Sequence, residues 1–289
     1  MPVRLVITDA MWDRIEPLMP ADPVRGRRWA DHRRTLEAIA WKYRTCSPWR
    51  DLPYELGSFQ TAHKRLIRWA VDGTWERIFA AVLSTADDGD DVGWTVSVDS
   101  SVCRAHQHAA GARKKGLRNE NEPEDHGLGR SLGGLSTKVH LASDSLARPL
   151  AVRVTAGQAG DAPAFEAVMA VMAAIRVPRS GPGRPRTRPD AVLADRAYSS
   201  RAIRSHLRRR GIRAVIPQPS DQVGHRLRRG RAGGRPPAFD AEAYKQRNTV
   251  ERCINRLKQW RGLAIRTDKL AIAYQAALHL ASIFIWARR

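Results

Sequence analysis

The stretch YKQRNTVERCINRLKQW holds Tyr244, Arg247, Glu251, Asn255 and Lys258 at helical spacing. On an α-helix, spacings of three, four and seven bring such side chains onto one stripe. The stripe has two readings: a solvated face laced with salt bridges, or an acid with attendant cations turned toward a substrate. Two other acids bear on the choice. Asp99 closes the alternating, β-branched run GWTVSVDS, and Asp195 closes the apolar run AVLAD. Acids at the ends of strands sit on rigid backbone. Three converging carboxylates suit two hard divalent cations, which take oxygen ligands. Two such ions, about 3.5–4 Å apart, activate a water or a 3′-hydroxyl for in-line attack on a phosphodiester and steady the leaving oxygen. Asp99, Asp195 and Glu251 are therefore the candidate catalytic and metal-ligating residues. The expected cofactor is Mg²⁺, with Mn²⁺ as a substitute, two ions per site. The sequence has no Gly-rich phosphate loop, so no nucleotide cofactor is expected.

Convergence needs elements in a particular order. From residue 93 the pattern gives a strand, a long polar insertion, and a hairpin of LSTKVHLAS with RPLAVRVT. A helix over DAPAFEAVMAVMAAI follows, then the strand AVLADRAY, a helix over SRAIRSHLRRR and a short strand at IRAVIP. A basic loop runs to about Phe239, before the helix of the stripe and an apolar C-terminal helix. Three meandering strands followed by alternation predict an α/β fold, a mixed sheet with helices on its faces. The order is that of a ribonuclease H-like fold. In that order the first and fourth strands are neighbours, and a helix packed at their open edge aims a third acid at the same point.

Residues 1–84 read as all-α. Thr8 can cap a first helix, Asp31 opens a second, and Ser58 opens a third after a turn at Gly57. The third carries Phe59, Ala62, Leu66 and Trp69 on one face, with Gln60, Lys64, Arg65 and Arg68 away from it. A tight turn followed by amide and basic side chains suits helix-turn-helix docking in a DNA major groove, and makes those four residues candidate DNA contacts. An ordinary amphipathic helix would look the same. The acidic segment 85–93 reads as a linker to a catalytic domain, 94–289.

The chain of 289 residues has a formal net charge of +21 and is 43% hydrophobic, so it can bury a core and its expected partner is a polyanion. Codon bias can favour Arg over Lys but does not explain so few acids. Double-stranded DNA is expected ahead of a membrane. The run LAIAYQAALHLASIFIWARR carries Gln275 and His279 and reads as a buried helix. Cys46, Cys103 and Cys253 are scattered without a metal or disulfide pattern, in keeping with a cytoplasmic protein. Arg208, Arg209 and Arg210 belong to a basic region, 201–235, expected to meet phosphates beside the acids.

YKQRNTVERCINRLK fits Tyr-x2-Arg-x3-Glu-x6-Lys and resembles the signature of DDE transposases of bacterial insertion sequences. WRDLP, FQTAHKRLIRW, GGLSTKVHL, RPDAVLADRAYSSR and GIRAVIPQP look like the family-five group, so the resemblance covers nearly the whole chain. It implies that Asp99, Asp195 and Glu251 hold the metals and that Tyr244, Arg247 and Lys258 contact DNA phosphates near the cut. It also implies binding of terminal inverted repeats, strand cleavage, and transfer of 3′-OH ends to target DNA in the bacterial nucleoid. Two ends must be handled together, so a homodimer or larger assembly is expected. A DNA-binding regulator or decayed transposase, and a ribonuclease H-like nuclease for branched substrates, are the alternatives.

Overall fold

A computed structural model describes residues 4–26, 28–85, 92–112, 121–178 and 182–288. Most of the expected linker, 86–91, and the middle of the polar insertion, 113–120, lie outside them.

Four helices come first: α1 (Asp9–Ile15), α2 (His32–Thr45), α3 (Phe59–Val71) and α4 (Thr74–Ser84). The Thr8 hydroxyl caps α1 by accepting from the Met11 amide, and the Asp31 carboxylate caps α2 by accepting from Arg34 N–H. Ser58 stands at the start of α3, but its side chain makes no cap bond there. Gly57 turns the chain into α3 at φ +89°, a conformation open to glycine.

The sheet is built from β1 (Thr95–Ala105), β2 (Gly129–Ser131), β3 (Gly134–Ser143), β4 (Pro149–Ala156), β5 (Ala191–Ala194), β6 (Arg213–Val215) and β7 (Ile265–Arg266). The helices after β1 are α5 (Gln107–Ala110), α6 (Asp161–Ala173), α7 (Arg201–Arg209), α8 (Ser220–Arg228), α9 (Ala241–Tyr244), α10 (Asn248–Lys258), α11 (Arg261–Ala264) and α12 (Ala271–Ala287). β4 flanks β3, β3 runs antiparallel to β1, and β1 runs parallel to β5, which is parallel to β6. This is the ribonuclease H-like order expected from the sequence, with two short additions, β2 and β7, that no pattern announced.

Three further details differ from expectation. β1 does not end at Asp99, because pairing with β3 continues to Arg104. The helix of the stripe is not continuous: a 3₁₀ turn at Lys245–Arg247 separates α9 from α10. The basic loop contains a helix, α8, whose Gln222 amide donates to the Ser199 carbonyl at 2.6 Å.

α12 is buried along nearly its whole length and packs against α1–α4 on one side and β4 on the other. Its apolar side chains join the helical layer and the sheet in one continuous core, from Ile15 and Trp69 through Leu280 and Phe284 to Val96 and Leu141. At Gly262 in α11 an added Cβ would lie 2.9 Å from the Tyr43 carbonyl oxygen, so close backbone contact fixes α11 on α2. Among the described residues no helix is long and apolar enough to cross a membrane.

Candidate active site

β1 and β5 pair in parallel from Thr95↔Ala191 to Val98↔Ala194, and there the ladder ends. Asp99 is the next residue of β1, and Asp195 the next after β5. The short β5 thus brings two acids side by side at an open end of the sheet. Asp195 is held by its own turn: its carboxylate accepts from the Ala197 amide at 2.9 Å.

Alternation along β1 turns Ser97, Asp99 and Ser101 to the face on which α10 lies. Thr249 Oγ1 donates to Ser97 Oγ at 3.0 Å, and Lys258 Nζ donates to Ser101 Oγ and to the Val102 carbonyl, the latter at 3.3 Å. Between these anchors, Arg247 joins two of the acids. Its Nη1 donates to Asp99 Oδ2 at 2.7 Å and its Nη2 to Glu251 Oε1 at 2.9 Å. Glu251, in the first turn of α10, is half exposed, and Arg247 and Asp99 are mostly buried. Tyr244 packs beside Arg247, its ring among Ala191, Leu193 and Val215.

Burial pushes the Asp99 carboxyl above its ordinary value, and the charges of Asp195 and Glu251 add to the rise. The Ser100 amide, donating at 2.7 Å, and Arg247 oppose it. Burial draws the Arg247 guanidinium down, but Asp99, Tyr244 and Glu251 outweigh it and the net shift is upward. Asp99 thus feels both other acids, and the guanidinium joins it to one of them, Glu251.

All-oxygen, carboxylate donors match the preference of Mg²⁺ and Mn²⁺. In the present arrangement no three ligating side chains among the described residues stand close enough to hold an ion. The guanidinium supplies positive charge between Asp99 and Glu251.

A network unassigned from the sequence lies on the opposite face of β1. Ser100 Oγ donates to Asp161 Oδ1 at 2.6 Å, and Lys138 Nζ donates to the same oxygen at 3.1 Å. Tyr198, three residues after Asp195, is buried, and its hydroxyl has no hydrogen-bond partner among the described residues. Burial first, then the charges of Asp161, Asp99 and Asp195, push its pKa up. Asp161 opens the segment read from the sequence as a helix and was not singled out there.

Other expected DNA contacts are divided. Gln60, Lys64 and Arg68 are exposed on α3. Arg65 is not: it is 3% exposed, so it does not share their surface. Its guanidinium lies 4.2 Å from the Trp29 ring and 4.9 Å from the Trp69 ring. Arg208, Arg209 and Arg210 do not stand beside the acids. The Arg210 carbonyl accepts from Arg188, and Arg213 N–H donates to the Asp190 carbonyl, both at the start of β5. Four residues of strand, roughly 13 Å, separate that end from Asp195. Ser199, four residues beyond Asp195, is met by α8 through Gln222 and by the start of α7 through Arg204.

Residues 91–286 match the family model described as "Transposase DDE domain", and residues 7–79 match "Putative transposase of IS4/5 family". The chain belongs to the DDE transposase family, in the group of IS4/5 insertion elements. It is similar to the "Putative transposase for insertion sequence element IS402" from Burkholderia cepacia, 32% identical over 52% of this chain and 62% of that protein. The "Putative transposase for insertion sequence element IS6501" from Brucella ovis is 27% identical over 53% of this chain and 100% of its own length. An uncharacterized protein, y4sN, of Sinorhizobium fredii is 36% identical over 37% of this chain and 83% of its own.

Proposed function

We propose that the chain binds the terminal repeats of a bacterial insertion sequence, cleaves the strands there, and transfers the 3′-OH ends to target DNA. The observation that carries this reading is the Asp99–Arg247–Glu251 bridge beside Asp195, at the one place where the β1–β5 ladder opens. Asp99, Asp195 and Glu251 would hold two Mg²⁺ or Mn²⁺ ions. When bound, these supply an activated water or 3′-hydroxyl and steady the leaving oxygen. Arg247 presents a planar fork that fits a phosphate as well as it fits the carboxylates it now joins. Its release from Asp99 and Glu251 frees two ligands and offers donors to the DNA backbone together. Lys258, tethered at Ser101, is a point charge two turns along, and Tyr244 backs Arg247. Exposed Gln60, Lys64 and Arg68 on α3 read the element's ends, and α8 receives the phosphates flanking the cut. Two ends are processed together, so the acting form is a homodimer or larger, working on nucleoid DNA in the cytoplasm.

The test is strand cleavage of duplex DNA carrying the element's ends, with Mg²⁺. Asp99→Asn, Asp195→Asn and Glu251→Gln each should lower the rate on the order of a thousandfold or more. The losses should not multiply, because the three act as one unit. End binding should survive, since it rests on cations elsewhere. Cleavage retained in Glu251→Gln would remove the third acid from the mechanism. Cleavage of branched DNA of unrelated sequence at equal rate would favour a structure-directed nuclease.

A further inference from the structure

The site uses one flank of α10. The other flank holds a collection of cations that the acid site does not explain. A hollow of about 530 Å³ opens where α1, the end of α2 and the end of α12 meet, and Arg4, Arg14, Arg44 and Arg288 line it. A second hollow, of about 390 Å³, shares Arg4 and Arg44 and continues to Gln259 and Arg261. Among the described residues no carboxylate lines either one.

Arg256 of α10 joins the same cluster. Burial, then the charges of Arg256, Arg44 and Arg4, hold the Arg288 guanidinium below its ordinary value. The groups that act on Arg288 are therefore cations like itself. Glu37, whose charge reaches Arg44, is committed elsewhere: its buried carboxylate accepts from the Val6 amide at 2.7 Å and the Ile7 amide at 2.6 Å. Among the described residues Glu37 is thus a weak offset to this cluster; like charges so gathered cost stability, and such an arrangement serves a ligand rather than the fold.

Its place on α10 indicates which ligand. Along α10, at about 100° per residue, Arg256 stands about 140° around the helix from Glu251. The outward face between them carries Arg252, Asn255 and Gln259, all exposed and none acidic. A helix with its side chains is about 10–12 Å across. A duplex lying over α10 can therefore touch the acid site on one flank and the arginine hollow on the other.

We propose that the hollow lined by Arg4, Arg44 and Arg288, with Arg256 of α10 near it, is a second DNA site, gripping backbone phosphates of the duplex whose scissile strand lies at Asp99. The inference rests on the DNA-cleaving reading above. It deepens that reading by fixing the path of the duplex across α10.

The test uses the full chain and a duplex carrying the element's ends. In Arg256→Gln/Arg288→Gln, the slope of log affinity against log salt should flatten by about 2, at roughly 0.9 per lost phosphate contact. The melting temperature without DNA should stay level or rise, because crowded cations have been thinned. Arg256→Lys/Arg288→Lys should keep most of the slope. An unchanged slope in the folded glutamine variant would overturn the proposal while leaving DNA binding intact. Duplex binding by wild type that does not depend on salt would overturn the DNA reading itself. A measurement without substitutions guards against misfolding: phenylglyoxal labelling of wild-type arginines, with and without duplex. Arg256 and Arg288 should be protected by the duplex. Undiminished labelling, or protection by polyglutamate but not by DNA, would refute the site; the second result would assign it to an acidic protein segment.

Discussion

Arg65 in the helical layer and Arg247 at the sheet's open end are both withdrawn from water, and both look like DNA contacts in the sequence. Their surroundings differ in kind. Arg65 meets neutral partners: two indole faces, the Ala30 carbonyl at 3.3 Å, and His32 Nδ1 at 2.8 Å. His32 has its own pKa lowered, by burial and then by Arg65, so its ring is neutral. Its Nδ1 accepts from Arg65, and its Nε2–H donates to the Pro20 carbonyl at 3.1 Å. Every partner there is consumed in holding the fold. Arg247 instead meets two carboxylates that carry a proposed second task. A cation with neutral, fixed partners is part of the architecture, whereas one bridging acids at an open edge is an exchangeable counter-charge.

The comparison breaks most plainly on stability. Arg65→Ala removes two cation–π contacts and leaves His32 Nδ1 without its donor, at a cost of about 3 kcal/mol. Arg247→Ala relieves a buried cation as well as stranding two acids, and should cost about 1 kcal/mol. Urea melts of the two variants measure the difference. Equal losses would mean that Arg247 is as structural as Arg65. Strand cleavage should rank them the other way among folded protein, with Arg247→Ala the more impaired.

Buried imidazoles supply a third kind of basic group, one kept uncharged. His279 on α12 stacks on Phe79 with ring centroids 5.6 Å apart, and burial followed by Arg153 pulls its pKa to about 4. With the ring neutral, the approach of Glu76 at 3.6 Å is not an ion pair. His140, between Asp161, Lys138 and Thr155, is likewise pulled to about 4, by burial first. Below about pH 6.5 the unfolded chain binds protons that the folded chain refuses until about pH 4, so stability falls with acidification across that window. From pH 7 to pH 5 the loss should be about 2 kcal/mol per histidine. His279→Gln should remove about 2 kcal/mol of that loss in urea melts. A flat wild-type profile between pH 7 and 5 would show that these rings accept protons in place.

The placing of Asp99, Asp195 and Glu251 near one another was legible because strand alternation and helical spacing are local patterns, and the order of elements carries the rest. What was not legible depends on distant partners. Arg65 and Arg68 are the same residue type three positions apart. Both lie over the Trp29 ring, but Arg65 alone also meets Trp69, His32 and the Ala30 carbonyl, and nothing in the spacing of α3 announces those partners. α8 was lost in a Gly- and Arg-rich composition; Gln222, anchored on Ser199, holds it in place. The position of Arg208–Arg210 follows from the direction of α7, which starts beside Asp195 and carries its C-terminal arginines to the far end of β5. The extension of β1 past Asp99 was hidden because Ser100 and Ser101 look like a turn. They pair with His140 and Val139 instead.

The smallest expected effect is the sharpest test of an exchangeable counter-charge. In the wild-type chain a divalent ion entering between Asp99 and Glu251 must displace Arg247 from two hydrogen-bonded ion pairs. Glu251 is half exposed, which limits the strength of its half of the bridge. If displacement costs about 1.4 kcal/mol, Arg247→Ala should bind Mg²⁺ about tenfold more tightly. The readout is the rise in melting temperature with Mg²⁺ in the absence of DNA, which follows the ratio of ion concentration to dissociation constant. Arg247→Ala should begin to gain stability at about a tenth of the Mg²⁺ concentration that wild type needs, although it starts less stable. Asp99→Asn/Arg247→Ala should lose the gain, which ties the effect to the acid site rather than to the wider surface. A smaller Mg²⁺ response in Arg247→Ala than in wild type would reverse the interpretation: the guanidinium would then be holding Asp99 and Glu251 in position for the ion, and Arg247 would belong with Arg65 as architecture.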